Sequence, residues 1–452
     1  MFRYRPVWIF FPLLVVGLAV FAACGDDNGE EATPAAETPA GTPEGTPEGT
    51  PAEAAGSVDV LGIWGADELA GFEAMVAPWE QSTGGNMNFT GTREIDSVLT
   101  ARVEGGNPPD VALPASLGTF RAMAEAGELA PLSDCIPQEE LAASYPQSLI
   151  DLGTVNGTLY GAFMKAGNKA TIWYDPGAFE EQGYEVPTTY DELIALSDRI
   201  VADGGTPWSI AEFANGGSGF PGSDFIQQFV LLESGPDVYD QWVAHEIPYN
   251  DPQIKAAWEK YGQIALTEGY VLGGPSAIVS TTFSEGGFPL FEDPPGAYMH
   301  YLGSFNEGFI AEQFPDLVAG EDYAFFPFPS ITPEFAGGVT GDANILMIFN
   351  ADPTTCSFVQ HVLSADAQSI WVEQGGFTSF NTEVPLEAYP TEPARAAAEQ
   401  LANPDTVFRF DADDAMPPGV GGSNGAVFQG VLSYIQGGNL DDILTQIDAT
   451  FP

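Results

Sequence analysis

Val58-Asp59-Val60-Leu61-Gly62-Ile63-Trp64 decides how the rest of the chain is read. Apolar residues alternate with Asp59, Gly65 stops the run, and Phe72, Met75, Val76 and Trp79 then recur at i, i+3, i+4 and i+7. The first pattern is that of a strand and the second that of one helix face. The alternation repeats. A short strand over 86–90 precedes an amphipathic helix carrying Ile95, Val98, Leu99 and Val103, which Gly105-Gly106 and Pro108-Pro109 end. Asp110-Val111-Ala112-Leu113 predicts a third strand and 120–126 a third helix. Strand and helix alternating at this pace predict βαβ units on a parallel sheet, with helices covering its faces.

A second series begins at Ala170-Thr171-Ile172-Trp173-Tyr174, with helices predicted from Pro176, over 190–202, 224–233, 236–245 and 252–267. Strands are expected over 323–328 and 345–349, and two closing helices over 424–436 and 440–450. The fold class is therefore α/β with two lobes. In such folds a ligand lies beyond the carboxyl ends of the strands, where loops and helix N-termini converge. Trp64 closes the first strand, Pro114-Ala115-Ser116 follows the third, and Trp173 and Tyr174 close one in the second lobe. Aromatic side chains there suit a sugar ring, whose C–H face stacks while carboxylates and amides take the hydroxyls.

Composition narrows the function. The 452 residues are 44% hydrophobic and 12% aromatic, enough for a large core. Twelve Lys and Arg stand against 64 Asp and Glu, a net charge of −52. Nucleic acid and anionic lipid are bound by clustered basic residues, so both are excluded as partners of the folded part. No Gly-Lys dipeptide is present, which removes a Walker-type phosphate loop. The acidity reads as a solubilising surface, or as attraction for a cationic solute.

Arg3 and Arg5 precede an apolar run from Val7 to Val20 and the small residues Ala22-Ala23-Cys24, an export signal over 1–23. Residues 24–56, with Thr-Pro-Glu-Gly repeated at 42–45 and 46–49, have too few apolar side chains to order and predict a tether. Cys135 and Cys356 remain. They pair as a disulfide or stay buried thiols, and in an exported chain the pair is the favoured reading. No metal and no cofactor is expected: there is no CxxC or HExxH, and Met416 stands where a calcium loop starting at Asp411 needs glycine. Gly421-Gly422-Ser423-Asn424-Gly425 has the letters of a nucleophile elbow, but Met416-Pro417-Pro418-Gly419 precedes it instead of a strand. No catalytic residue is assigned.

Several motifs in the right order resemble the extracellular solute-binding proteins of ABC importers, in the carbohydrate group that is maltose-binding-protein-like. They are Gly106-Asn107-Pro108-Pro109-Asp110-Val111, Gly157-Thr158-Leu159-Tyr160-Gly161 with Trp173-Tyr174-Asp175, Ser364-Ala365-Asp366-Ala367-Gln368, and Gly375-Gly376-Phe377-Thr378-Ser379-Phe380-Asn381. Phe220-Pro221-Gly222-Ser223-Asp224-Phe225 and Asp293-Pro294-Pro295-Gly296-Ala297-Tyr298 are similar to α-glucoside-type members. The resemblance implies a type II periplasmic-binding-protein-like fold. Lobe one would take residues 57–163 and 322–371, and lobe two residues 165–320 and 375–452, with the ligand cleft between them. It implies ligand contacts from Trp64, Asp67, Glu68, Ser116, Trp173, Tyr174, Asp224, Tyr298, Asp342 and Phe428. It also implies lipidation of Cys24, both Cys135 and Cys356 within lobe one, a monomer outside the cytoplasm at the cell membrane, and ABC permease subunits as partners. The small-molecule solute would be a carbohydrate, held by lobe closure. The rivals are the same receptor fold with a cationic or peptide solute, and a secreted hydrolase.

Overall fold

Two sheets organise the chain in the computed structural model, which describes residues 56–452 apart from 93, 404, 405, 418 and 423, and only the backbone at 66 and 67. The export signal, Cys24 and nearly all of the tether lie outside the described residues, as does Ser423.

The first sheet starts as the alternation predicts. β1 (Ser57–Gly62), β2 (Asn86–Gly91) and β3 (Val111–Leu113) run parallel, with Ser57 opposite Asn86 and Val60 opposite Val111. The helices Ala66–Thr83, Ile95–Glu104 and Leu117–Ala126 follow them. A small hairpin, β4 (Thr154–Val155) and β5 (Thr158–Leu159), leads into β6 (Gly161–Asn168). β6 lies antiparallel to β11 (Val339–Ile348), and β12 (Phe408–Phe410) joins β11 in parallel. The path is β12-β11-β3-β1-β2, with β6 also on β11.

The second sheet is β10-β7-β9-β8, from β7 (Thr171–Tyr174), β8 (Trp208–Ser209), β9 (Met299–Tyr301) and β10 (Ala324–Pro327). β7 is antiparallel to both its neighbours, and only β8 and β9 pair in parallel. The expectation of a second parallel series is therefore corrected. The helices Pro176–Gln182 and Tyr190–Ala202 do not join parallel neighbours, and only the long connection that carries the helices between 220 and 280 links a parallel pair, β8 and β9. Their local chemistry is as read. Thr189 and Glu192 form a capping box that starts the helix Tyr190–Ala202, and Asp175 caps the helix Pro176–Gln182, with proline in its first turn. The helix Phe220–Ser234 is buried on nearly every side and forms the centre of the lobe.

Lobe boundaries also move. β6 stays in the first sheet to Asn168, so the chain leaves it at Lys169, not near 164. Residues 322–328 belong to the second lobe, because Ala324 pairs with Tyr174 and Pro327 with Thr171. The return crossing falls between β10 and β11. Residues after 375 do not pass straight to lobe two. Phe377 packs on Trp371, Asn381 donates its side-chain amide to Leu363 O (3.0 Å), and β12 lies in the first sheet. The helix Ala426–Ile435 then packs back on the helix Phe220–Ser234, and the helix Leu440–Asp448 packs on Ala426–Ile435.

Lobe one is held by an aromatic knot. Trp64 stacks on Phe89 and meets Trp371 edge-on at 4.9 Å and Phe72 at 4.7 Å. The knot depends on a close approach by the helix Ala66–Thr83: a Cβ at Gly71 would lie 2.3 Å from Trp371 Nε1. A disulfide joins Cys135 to Cys356, across 221 residues, and ties the turn Leu132–Asp134 to the helix Pro353–Val362. Closing so long a loop removes entropy from the unfolded chain, typically worth about 2–4 kcal/mol. Urea unfolding with and without dithiothreitol is expected to show that loss of stability. An unchanged midpoint after verified reduction would contradict it.

Candidate functional site

Lys169 stands at the first crossing, between β6 and β7. Its backbone amide donates to Thr340 O of the return strand (2.9 Å), and Asp411, just past β12, donates its amide to Gly341 O (2.8 Å). Three chain segments that pass between the lobes are thereby fixed at one point. The Lys169 side chain is buried. Its Nζ donates to Asp224 Oδ1 (3.0 Å) and to Asp411, and lies 3.4 Å from Asp342 Oδ2. Burial alone would lower the lysine pKa, but Asp224, Asp411 and Asp342 outweigh it and hold the ammonium well above its ordinary range. Asp342 reaches this position because its strand partner is Gly167. A Cβ there would fall 2.1 Å from the Asp342 carboxylate.

Two groups of side chains flank Lys169. On the side of lobe two, Nζ lies 5.9 Å from the Phe220 ring. Phe220 meets Phe283 at 5.1 Å, Phe283 meets Phe309 at 5.5 Å, and Phe309 meets Phe305 at 6.2 Å, all edge-on. The four rings are half-buried, so they form a continuous partly open aromatic face. On the side of lobe one, Lys165 pairs with Glu68 and lies 5.7 Å from the Trp371 ring. Ser116 caps the helix Leu117–Ala126 by accepting from Thr119 N (3.1 Å), and the short helix Ala412–Ala415 packs against it.

Of the residues singled out from sequence, Glu68, Ser116, Asp224 and Asp342 come to this belt; the side chain of Asp67, next to Glu68, lies outside the description. Asp224 lies beneath Lys169, buried. Of the proposed stacking aromatics, Trp64, Trp173 and Phe428 are buried and do not fit the role, whereas Tyr174 and Tyr298 are half-buried. Trp64 is 1% exposed, with its faces covered by Phe89 and Trp371 and its Nε1 donating to Asn344 Oδ1 (3.1 Å). Trp173 is also core: Nε1 donates to Leu302 O (2.9 Å) and the ring packs on Tyr323 and Phe325. Tyr174 packs on Phe179 and Phe326, Tyr298 on Tyr184, and Phe428 is 7% exposed. Large aromatics at strand ends gain more from complete burial than from waiting for a ligand. Sequence reasoning missed Lys169, Lys165, Phe283, Phe305 and Phe309. The one signal for Lys169 was scarcity, a lysine between two apolar strands in a chain with 12 Lys and Arg.

Elsewhere, an open depression of about 320 Å³ is lined by Asp175, Glu181, Glu292, Asp293 and Asp322 with Phe291 and Leu317. It shares no residue with the crossing. The serine motif lacks its structural context: β12 ends at Phe410, the helix Ala412–Ala415 follows, and among the described residues no strand leads into 421–425.

The family model for bacterial extracellular solute-binding proteins matches residues 65–369, which include both crossings. The chain belongs to that family. Among curated relatives of this solute-binding protein, the osmoprotective compounds-binding protein GgtB of Synechocystis sp. is 33% identical over 395 residues, 87% of this chain and 92% of the relative. The alpha-glucosides-binding periplasmic protein AglE of Rhizobium meliloti is 32% identical over 397 residues, 86% of this chain and 85% of the relative. Among solved structures, a chitin oligosaccharide binding protein superposes with a TM-score of 0.72 at 18% identity, over 87% of this chain and 97% of that one. The solute receptor AcbH gives 0.71 at 18%, over 88% and 97%. The type II bilobal fold and the extracytoplasmic location of the solute-binding protein follow. Among the described residues no helix is long and apolar enough to cross a membrane.

The helix that carries Phe220 and Asp224 is seated by Glu212, which accepts from Gly222 N and Tyr261 Oη, both at 2.9 Å. Burial pushes this carboxyl from its ordinary 4.5 up to about 7, against those two hydrogen bonds. The folded state therefore holds a proton that the unfolded state releases above about 4.5. Its contribution is complete at low pH and is lost as pH rises through about 7. Glu212→Gln has no such loss. Between pH 4.5 and 8 its unfolding free energy should gain on the wild type by about 3 kcal/mol. A pH-independent difference in urea titrations would refute this assignment.

Proposed function

We propose that this solute-binding protein receives a sugar or small oligosaccharide between its lobes and delivers it to an ABC permease, from a lipid anchor on Cys24 at the outer face of the cell membrane. The observation that carries the reading is the half-buried run Phe220-Phe283-Phe309-Phe305 ending on Lys169 and Asp342. An aromatic face beside charged hydrogen-bonding groups matches a pyranose, whose C–H face is apolar and whose rim is hydroxyl. One relative is named for alpha-glucosides, which supports a sugar, and the other for osmoprotective compounds.

In this reading Phe220 and Phe283 take the ring face. Asp342, Lys169, Glu68 and Ser116 take hydroxyls, and Asp67 sits beside Glu68 on the opposing lobe. Contacts from both lobes are what make closure favourable, because a ligand shifts the equilibrium only by its preference for the closed state. No bond in the solute is made or broken. The protein works as a monomer, and the tether over 24–56 holds the receptor close to its permease, which raises local concentration.

A thermal-shift screen of the full chain tests the solute class with maltose, trehalose, sucrose and galactose beside putrescine, choline and short peptides. A ligand at 100 times its Kd adds about 2.7 kcal/mol of stability. Sugars are expected to raise the Tm, and Phe220→Ala to weaken that response at least tenfold in sugar concentration. A response to cations or peptides alone would overturn the sugar reading. Mass spectrometry of the mature N-terminus is expected to find an acylated Cys24, and an unmodified internal Cys24 would remove the anchor.

A further inference from the structure

Behind Lys169 lie more buried carboxyl groups than its one ammonium can pair with. Asp224, Asp411 and Asp413 are 2, 2 and 3% exposed, and each offers a carboxylate oxygen within 4.8 Å of the other two. Most of their oxygens have partners. Lys169 donates to Asp224 Oδ1 and to Asp411 Oδ2, and Asp411 Oδ1 accepts from Asp413 N (3.0 Å). Asp413 Oδ2 accepts from Ser223 Oγ and from Gln227 Nε2. Asp224 Oδ2 and Asp413 Oδ1 remain, both buried and neither bonded to any described group of the protein.

A buried carboxylate oxygen without a partner is costly, and a buried unbalanced charge more so. Ionised together, the three carboxylates would leave two negative charges against one ammonium; burial pushes Asp224 well above its ordinary range and Asp413 up to about 8, so with no cation present they take protons. The neighbouring acids supply no counter-charge: Asp414 is itself pushed well above its ordinary range by burial and by Asp411. Three carboxyl groups converging at one buried point, with two of their oxygens unpartnered, match a divalent cation in place of those protons. The available donors are all oxygen, from carboxylates with a serine hydroxyl and a glutamine amide beside them, and no histidine or cysteine belongs to the group. Oxygen donors select hard cations over zinc or copper. The irregular arrangement favours calcium, which accepts variable geometry, over magnesium, which requires a near-ideal octahedron and keeps several waters.

The geometry points to a calcium site formed by Asp224, Asp411 and Asp413, which ties the helix Phe220–Ser234 to the segment following β12. Lys169 keeps its place on the opposite oxygens. The site does not depend on which solute the cleft takes. It escapes a search for contiguous metal loops because 411–414 supplies only part of it, and Asp224 arrives from a distant helix. Its consequence is mechanical: the cation stiffens the floor beneath Lys169 and Phe220.

The test uses the full chain, freed of metal with EDTA and dialysed into 0.3 M KCl, where interactions of surface carboxylates are screened. Metal analysis after equilibration with 1 mM calcium is expected to find one calcium per chain, and the Tm to rise with free calcium more than with the same concentration of magnesium. Asp413→Asn and Asp224→Asn should each weaken calcium binding at least tenfold, whereas Asp175→Asn, in the open acidic depression, should leave it unchanged. Retention of calcium in both cluster variants, or its loss in Asp175→Asn, would overturn the assignment. Should a cluster variant fail to fold, the unaltered protein still decides. Equal Tm values at pH 7.5 in EDTA and in 5 mM calcium would mean that the cluster is neutralised by protons instead, and the proposal would fall.

Discussion

One buried ammonium connects the parts of this protein that matter for its function. Lys169 lies where β6 ends and β7 begins, and it reaches Asp224 from the centre of lobe two, Asp342 from the return strand and Asp411 from the segment after β12. Loss of one member of such a group leaves buried charge without a counter-charge, an arrangement that typically costs about 3–5 kcal/mol. The crossing is therefore rigid at its base, and any movement of one lobe against the other must be taken up by neighbouring backbone. A rigid base with lobes on either side is what a closing receptor requires, because closure then brings two defined surfaces together.

The same point sets the polarity of the site. One side presents phenylalanine rings and the other presents Glu68, Lys165 and the capped start of the helix Leu117–Ala126. The chain as a whole carries a charge of −52, yet two of its few cations, Lys165 and Lys169, are placed at this belt. The acidic exterior keeps the molecule soluble and repels anionic surfaces. At the belt the paired cations offer donors without adding net attraction for anions, a setting suited to a neutral polyhydroxylated solute.

Much of this was legible in the sequence where local chemistry decides. The helix over 190–202 falls where its sequence placed it, with Thr189 and Glu192 capping its start, and glycines and prolines punctuate β1 to β3. Asp342, Asp224, Glu68 and Ser116 came through the family resemblance alone, since no local pattern marks them. The antiparallel second sheet was not, since strand pairing between segments as distant as Trp173 and Phe325 leaves no local trace. Lys169 was hidden for the same reason: its partners lie 55 and 242 residues away. Size misled the choice of aromatics. Trp64 and Trp173 are large and sit at strand ends, but burial claims them, whereas Phe283, Phe305 and Phe309 lie in short turns and a short helix without periodicity.

A crystal structure of the protein grown with the sugar that most raises its Tm tests the central claim most directly. The account predicts one sugar ring against Phe220 or Phe283, with hydroxyls bonded to Lys169 or Asp342 and at least one further bond from Glu68, Asp67 or Ser116 on the opposing lobe. A sugar bound by one lobe alone, or in a place that leaves Lys169 and the phenylalanine face untouched, would contradict it.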